Sequence, residues 1–283
     1  MKRWRVIFTG ANDAFFNMAL DEALLLTCQK EASPPVLRLY LWERPAVSIG
    51  YFQTIGKTVD PQKCKERDIL VVRRITGGRA VLHEDEITYS VCASRDHFPE
   101  LGESTIQTCQ KLSMALLESL HVLGIDGEWV RPSRGKKPAS IYMNFFKPCF
   151  ASNSRYEILV GGKKLIGSAQ RRFSFRSDQN KKDCFIQHGS ILTGKGKRNL
   201  VELLSEDSSV EMMRRNLEER STNIEKILKR RVAWEEIVSA LKTGFEKVFS
   251  YRMEDSMISE EELKIAQNLK EKKYLSEGWN LAR

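Results

Sequence analysis

From Arg3 to about residue 194, short runs of β-forming residues alternate with stretches in which apolar side chains recur every three or four positions; beyond that point only the helical texture continues. Such a chain folds as a mixed sheet with helices packed on it, because each helix has one apolar stripe to bury. "RWRVIFTG" reads as a strand, and Asn12 or Asp13 can cap a helix over "FFNMALDEALLLTCQK", where Met18, Leu20, Leu24 and Leu25 form a stripe. "VLRLYLW" and "AVSIGY" are short strands parted by "ERP". Asp60 and Pro61 suit the N-cap and first position of a helix, and "ILVVRR" then runs into "TGG". After "ITYSVCAS" comes a long helix, about Ser104 to Leu123, striped by Ile106, Cys109, Leu112, Leu116, Leu120 and Leu123 and ended at Gly124. "YEILV" and "KKLIGSA" flank Gly161 and Gly162, which predicts a two-residue hairpin. The polar "SFRSDQNKKD" and the strand "CFIQHGSIL" follow, the polar part reading as an extended hairpin or loop.

The expected fold class is therefore α/β in the α+β sense: a mixed sheet core flanked by helices over residues 1–194, then a helical extension over 195–283. In the extension Trp234, Ile237, Leu241, Phe245 and Val248 share a helical face, and Ser259 with Glu262 makes a capping box. Charged residues at 29% and hydrophobic ones at 41% describe an ordinary globular protein, with no apolar run near the ~20 residues of a membrane helix. "MKRWRVIFTG" lacks the apolar region of a secretory signal, so the cytoplasm is the expected compartment. Six scattered cysteines without a C-x-x-C pair read as free thiols, and four dispersed histidines suggest no metal site. The net charge of +9 calls for an acidic partner, with basic residues gathered in "KKLIGSAQRRFSFR", at Lys181 and Lys182, and in "KGKR". No zinc finger, aromatic RNA-binding motif or basic helix points to nucleic acid.

Two stretches carry residues that do chemistry. In "KPCFASNSRYEILVGGKKLIGSAQRR", Cys149 stands just ahead of the hairpin, and a Lys-Lys pair, Lys163 and Lys164, lies in its turn region. A thiol there is either a core filler or a nucleophile, and only the nucleophile needs a cation nearby. In "RRITGGRAVLHEDEITYSV", Gly77 and Gly78 let the backbone approach a ligand closely, or simply turn. Arg73 and Arg74 can bind a carboxylate or phosphate or be solvated, and His83 is either a core histidine or a base.

Taken in order, "RRITGGRAVLH", "CF" with "SRYEI", "GKKLIGSAQ" and "QHGSIL" resemble the superfamily of lipoate-protein ligases, biotin-protein ligases and octanoyltransferases over about residues 1–194. The tail "EKKYLSEGWNLAR" is similar as well. Within it the chain is most similar to the cysteine-dependent octanoyl-[acyl carrier protein]:protein N-octanoyltransferases of lipoate synthesis. Cys149 matches their nucleophile, and Arg79 stands where ligases continue the glycine run. The resemblance makes residues 1–194 an acyl-transfer domain, octanoyl-acyl carrier protein the donor, and a lipoyl domain such as the glycine cleavage H protein the acceptor. It implies no cofactor, ATP and Mg belonging only to a ligase alternative; a third alternative is amidotransfer between lipoyl domains.

By the same resemblance Cys149 and Lys164 are catalytic; Arg74, Thr76, Gly77, Gly78 and His83 match the acyl-binding loop, and Gly167, Ser168 and Ala169 the strand opposite. His83 and His188 are both candidates for the base that deprotonates the incoming lysine. The role given to Lys164 is physically sound: lowering a thiol from ~8.5 to near 7 corresponds to about 2 kcal/mol, within reach of an ammonium ~4 Å away at an effective dielectric near 20. On that view Lys164→Ala keeps the fold and slows acylation. Two features depart from the family: Asn153 stands near an expected proline, and the segment from Arg172 to Gln187 is longer than usual.

Overall fold

A computed structural model describes residues 2–30, 33–129, 157–177, 180–205 and 219–282. Among them, no helix is long and apolar enough to cross a membrane. The strand β1 (Arg3–Asn12) is followed by α1 (Ala14–Thr27), with Asp13 as the N-cap accepting from the amides of Phe15 and Phe16 at 3.0 Å. The helix crosses over to β2 (Val36–Trp42), which pairs in parallel with β1, as a strand-helix-strand unit must. A small sheet comes next, from β3 (Ala46–Ile49), β4 (Leu70–Arg73) and β5 (Val81–His83), with α2 (Pro61–Glu66) between the first two. Its order is β4-β3-β5, parallel then antiparallel.

The chain then returns to the main sheet as β6 (Glu86–Ser94), and α3 (Thr105–Val122) leaves it, capped by Ser104 and Gln107. Further strands are β7 (Glu128–Trp129), β8 (Ile158–Val160), β9 (Lys163–Ser177) and β10 (Asn180–Leu192). After α4 (Ile224–Leu228) and α5 (Trp234–Phe249), β11 (Arg252–Asp255) pairs in parallel with β1 at the sheet edge. The helices α6 (Glu260–Leu269) and α7 (Glu277–Asn280) complete the chain. The eight strands run β11-β1-β2-β6-β10-β9-β8-β7. β11 corrects the expectation of helices without strands after residue 194.

Alternation along β2 gives the sheet two apolar faces. Leu37 and Leu39 join one core with Leu112 and Leu116 of α3 and Ile237, Leu241 and Phe245 of α5. Val36 and Tyr40 join the other with Leu20 and Leu24 of α1 and Ala266 of α6. The helices beyond residue 194 thus contribute to the same cores as the strands before it. Ile106, expected in the α3 stripe, is 49% exposed. The last residues close over β4: the Trp279 indole donates to the Arg73 carbonyl at 2.9 Å, and the Asn280 side chain accepts from the Arg73 amide at 2.9 Å.

The hairpin at Gly161 and Gly162 forms as predicted, with φ of +55° and +72° and Val160 opposite Lys163. Both lysines therefore open β9. Ile158 faces Ile166 while Leu159 faces Lys164, so β9 carries one extra residue, a bulge that re-aims side chains between Lys164 and Gly167. Beyond it β9 and β10 pair from Ile166 and Ile191 out to Ser177 and Asn180, so the polar segment is an extended hairpin.

Candidate active site

On the α1 face of the sheet lies a cavity of about 160 Å³, floored by β9 and β10 and walled by α1, β2, β3 and the loop after β4. Arg74, Gly78, Arg79, His83, Gly167, Ser168 and Ala169 line it, so the structure brings together residues that the sequence presents in two separate blocks. Met18, Tyr40, Trp42, Ser48, Val81, Thr88 and His188 complete much of the wall. Gly77 lines an adjoining cavity, and Thr76 is fully buried.

The glycines are there because backbone passes backbone. A Cβ on Gly189 would lie 2.4 Å from the Gly167 carbonyl oxygen, and one on Gly50 would lie 2.1 Å from that of Gly78. Gly78 itself has φ +91°. The loop is held by Arg74, whose buried guanidinium donates to the carbonyls of Ser48 (2.8 Å), Gly77 (2.9 Å) and Arg79 (2.7 Å). Arg73 is also buried and donates to the Gln53 carbonyl at 2.7 Å and the Trp279 carbonyl at 3.0 Å. Neither arginine is solvated; both bind main-chain oxygens.

Two hydroxyl-imidazole-carboxylate chains meet the cavity. His83 Nδ1 lies 2.7 Å from Glu86 Oε1 and Nε2 2.7 Å from the Ser48 hydroxyl; in the tautomer with the proton on Nδ1, Glu86 accepts and Ser48 donates. Trp42 stacks on the His83 ring at 3.9 Å between centroids. In the second chain His188 Nδ1 meets Asp21 Oδ2 at 3.1 Å, and Nε2 meets Thr76 Oγ1 at 2.5 Å. Burial pushes the His188 imidazole below its ordinary value, more than Asp21 can restore, so it is neutral near pH 7. Burial works the other way on Asp21, but the Arg38 guanidinium 2.7 Å away and His188 hold its carboxyl below the ordinary value. Tyr40 donates to Asp21 at 3.0 Å, and burial followed by that charge pushes its phenol well up. With both ring nitrogens engaged, each histidine reaches a substrate through its hydroxyl partner, and of those two hydroxyls Ser48 lines the cavity.

Lys164 is buried, and its Nζ donates to Glu157 Oε1 at 2.5 Å, an ion pair in which both side chains are almost wholly removed from water. Cys149 lies outside the described residues, as does Asn153. The five described cysteines are buried. Burial pushes Cys64 up to about 11 and Cys109 up to about 12, and Cys92 well above its ordinary value, so these are inert thiols near neutrality. Among the described residues no group of three His, Cys, Asp or Glu side chains is placed to hold a metal ion.

Sequence reading missed Asp21, Ser48, Glu86 and Glu157. Glu157 sits inside the block "SRYEI", and a buried lysine in the hairpin strand is the signal that would have asked for it.

Residues 13–246 match the family described as lipoyl protein ligase A/B catalytic domain. The chain is 36% identical over 282 residues to the octanoyltransferase LipM of Bacillus subtilis (strain 168), covering 99% of this chain and 98% of that protein. It is 36% identical over 285 residues to the octanoyltransferase LipM of Lysinibacillus sphaericus (strain C3-41), covering all of both. Among solved structures, a lipoate-protein ligase A bound with ATP superposes with a TM-score of 0.76 at 26% identity, over 99% of this chain and 98% of that one. A bipartite lipoate protein ligase from Thermoplasma acidophilum, studied with its E2 lipoyl domain, gives 0.79 at 24% identity over 100% and 98%.

Proposed function

The chain belongs to the lipoyl protein ligase A/B catalytic-domain family and is an acyltransferase, and we propose that it moves an octanoyl group from octanoyl-acyl carrier protein to a lysine of a lipoyl domain, through a thioester on Cys149. The observation that carries this reading is the full-length similarity to octanoyltransferases; it is supported by Arg74, Gly78, His83, Gly167, Ser168 and Ala169, six of the positions matched to acyl binding by resemblance, which line one cavity. Burying the acyl chain there is worth about 0.8 kcal/mol per methylene. The polar groups behind the wall, Asp21, His188 and Tyr40, already bond to one another, so an apolar tail leaves them satisfied.

The Cys149 thiolate attacks the donor's thioester carbonyl, and pantetheine leaves as a thiolate that takes up the proton Cys149 released on ionising. The ammonium of Lys164 favours the thiolate form. The acceptor lysine, deprotonated, then attacks the acyl-cysteine; an amide forms and the cysteine is released. For the base we assign Ser48 backed by His83 and Glu86: the Ser48 hydroxyl takes the amine proton as it passes its own to His83 Nε2, and Glu86 stabilises the imidazolium. Thioester to amide runs downhill, so neither ATP nor Mg is used.

The test is to mix the chain with octanoyl-carrier and a lipoyl domain without nucleotide and to follow both proteins by intact mass. The expected result is an octanoyl adduct on Cys149, lost in Cys149→Ser, and an octanoylated domain. Modification that occurs only when ATP is added would mean a ligase, and an octanoylated lipoyl domain serving as the sole donor would mean an amidotransferase.

A further inference from the structure

A second cavity, of about 150 Å³, adjoins the first. The two share Gly78, Ser168 and Ala169 in their linings, but they open on opposite faces of β9. Ala169 is paired with His188, on the α1 side, whereas Gln170 is paired with Gln187 and Ser168 bonds to Tyr89, a residue of the core under α3. Thr105 and Cys109, one turn apart on α3, form the far wall. Among the described strands β8 pairs with β9 only as far as Ile166, and Gly78 lies in the linings of both cavities.

The second cavity has a different chemistry from the first. No charged side chain is in its described lining, so it suits a neutral guest rather than a polyphosphate. Its polar groups are set by one directional chain: Gln170 Nε2 donates to Gln187 Oε1 (3.2 Å), Gln187 Nε2 donates to the Tyr89 hydroxyl (3.0 Å), and Tyr89 lies 2.6 Å from Ser168 Oγ. Either hydroxyl can donate in the Tyr89–Ser168 bond; when Tyr89 donates, the Ser168 hydroxyl hydrogen is left to donate elsewhere. At the other end of the chain, Gln170 Oε1 is buried and has no hydrogen-bond partner. With Tyr89 donating, the free Ser168 hydrogen and Gln170 Oε1 present one donor and one acceptor two residues apart on one face of β9. A secondary amide offers the complementary acceptor and donor.

We infer that this second cavity binds the amide-bearing pantetheine arm of the acyl donor, with Gln170 accepting from an arm N–H and Ser168 donating to an arm carbonyl. The inference rests on the octanoyltransferase reading. The acyl tail occupies the first cavity, the thioester lies at the Gly78 and Ala169 boundary, and the arm leaves across Gln170 and Thr105. An unsatisfied buried amide oxygen is costly, and the arm is what satisfies it during turnover.

Three octanoyl thioesters separate the possibilities, each scored by kcat/KM for adduct formation on the full chain: S-octanoyl pantetheine with two amides, S-octanoyl N-acetylcysteamine with one, and S-octanoyl ethanethiol with none. The unaltered chain is expected to prefer pantetheine to ethanethiol by about fivefold or more, the worth of one hydrogen bond. Gln170→Leu and Ser168→Ala, measured separately so that one folded variant suffices, are each expected to bring that ratio down about fivefold. A ratio near one in the unaltered chain, or one unchanged in both variants, overturns the inference while leaving the transferase reading intact. Absence of adduct from all three thioesters while octanoyl-carrier still gives one overturns this inference alone; absence of adduct from octanoyl-carrier as well overturns the transferase reading and this inference with it.

Discussion

Removing the Lys164 ammonium leaves the Glu157 carboxylate in a site with almost no access to water. Breaking a buried ion pair at one partner costs about 3–5 kcal/mol, because the remaining charge stays buried without its counter-charge. Lys164→Ala is therefore expected to be destabilised, contrary to the sequence expectation that the fold is kept, and lost activity in that variant would mix chemistry with unfolding. The double substitution Lys164→Met with Glu157→Gln removes both charges at similar volume. It is expected to recover most of the lost stability in urea unfolding, to within about 1 kcal/mol of the unaltered chain. Adduct formation should stay slow in it, because the Lys164 ammonium proposed to favour the thiolate is gone. A double variant as unstable as the single one would remove the ion pair as the cause. Glu157 also sets a limit on the expected thiol activation: an ammonium already paired at 2.5 Å projects less field than a free one.

At the scale of elements, the loop after β4 is built by its neighbours rather than by its own sequence. Gly50, just past β3, passes so close to Gly78 that a methyl group would push the loop and the cavity wall away together. Gly50→Ala is expected to lower kcat/KM for octanoyl-carrier by tenfold or more, with a stability cost of about 1–3 kcal/mol; unchanged kinetics in that variant would mean that the loop position does not matter. What was legible in the sequence follows the same division between local and distant. The Gly161 and Gly162 turn, the Asp13 cap and the capping box of Ser259 and Glu262 are written within a few residues of themselves, and all appear as read. The block that holds Cys149 and Lys164 was read as catalytic only through its motifs. Asp21 and His188 are 167 positions apart, and no spacing rule connects them. β11 was missed because "RMED" is a short edge strand with only Met253 buried, which leaves no apolar run to see. Ile106 was over-read because its i, i+3 spacing places it at the edge of the stripe, near the helix start, where no partner covers it.

For the whole molecule, the buried group of Asp21, Arg38, Tyr40 and His188 ties α1, β2 and β10 together, so its titration is read out as global stability. The native His188 imidazole is held below its ordinary value by burial, with Arg74 and His83 adding to the effect and Asp21 opposing it. In the unfolded chain a histidine takes its proton near pH 6.5. Below that pH the unfolded state holds a proton that the native state lacks, so stability falls on acidification, by up to about 1.4 kcal/mol per pH unit, until the lowered native value is reached. Asp21 acts in a lower window. Its native carboxyl is depressed, so its contribution is present above the unfolded value near 3.9 and is lost as pH falls through the native value. Urea unfolding at a series of pH values should thus show a decline beginning near pH 6.5 and a second one below about 4. His188→Asn, which keeps a donor toward Asp21, should lower stability near pH 7 yet abolish the upper decline, leaving the lower one in place. If the variant kept the full slope between pH 6.5 and 5, the proton would belong to another group, and His188 would not be the residue that couples the cavity wall to the stability of the fold.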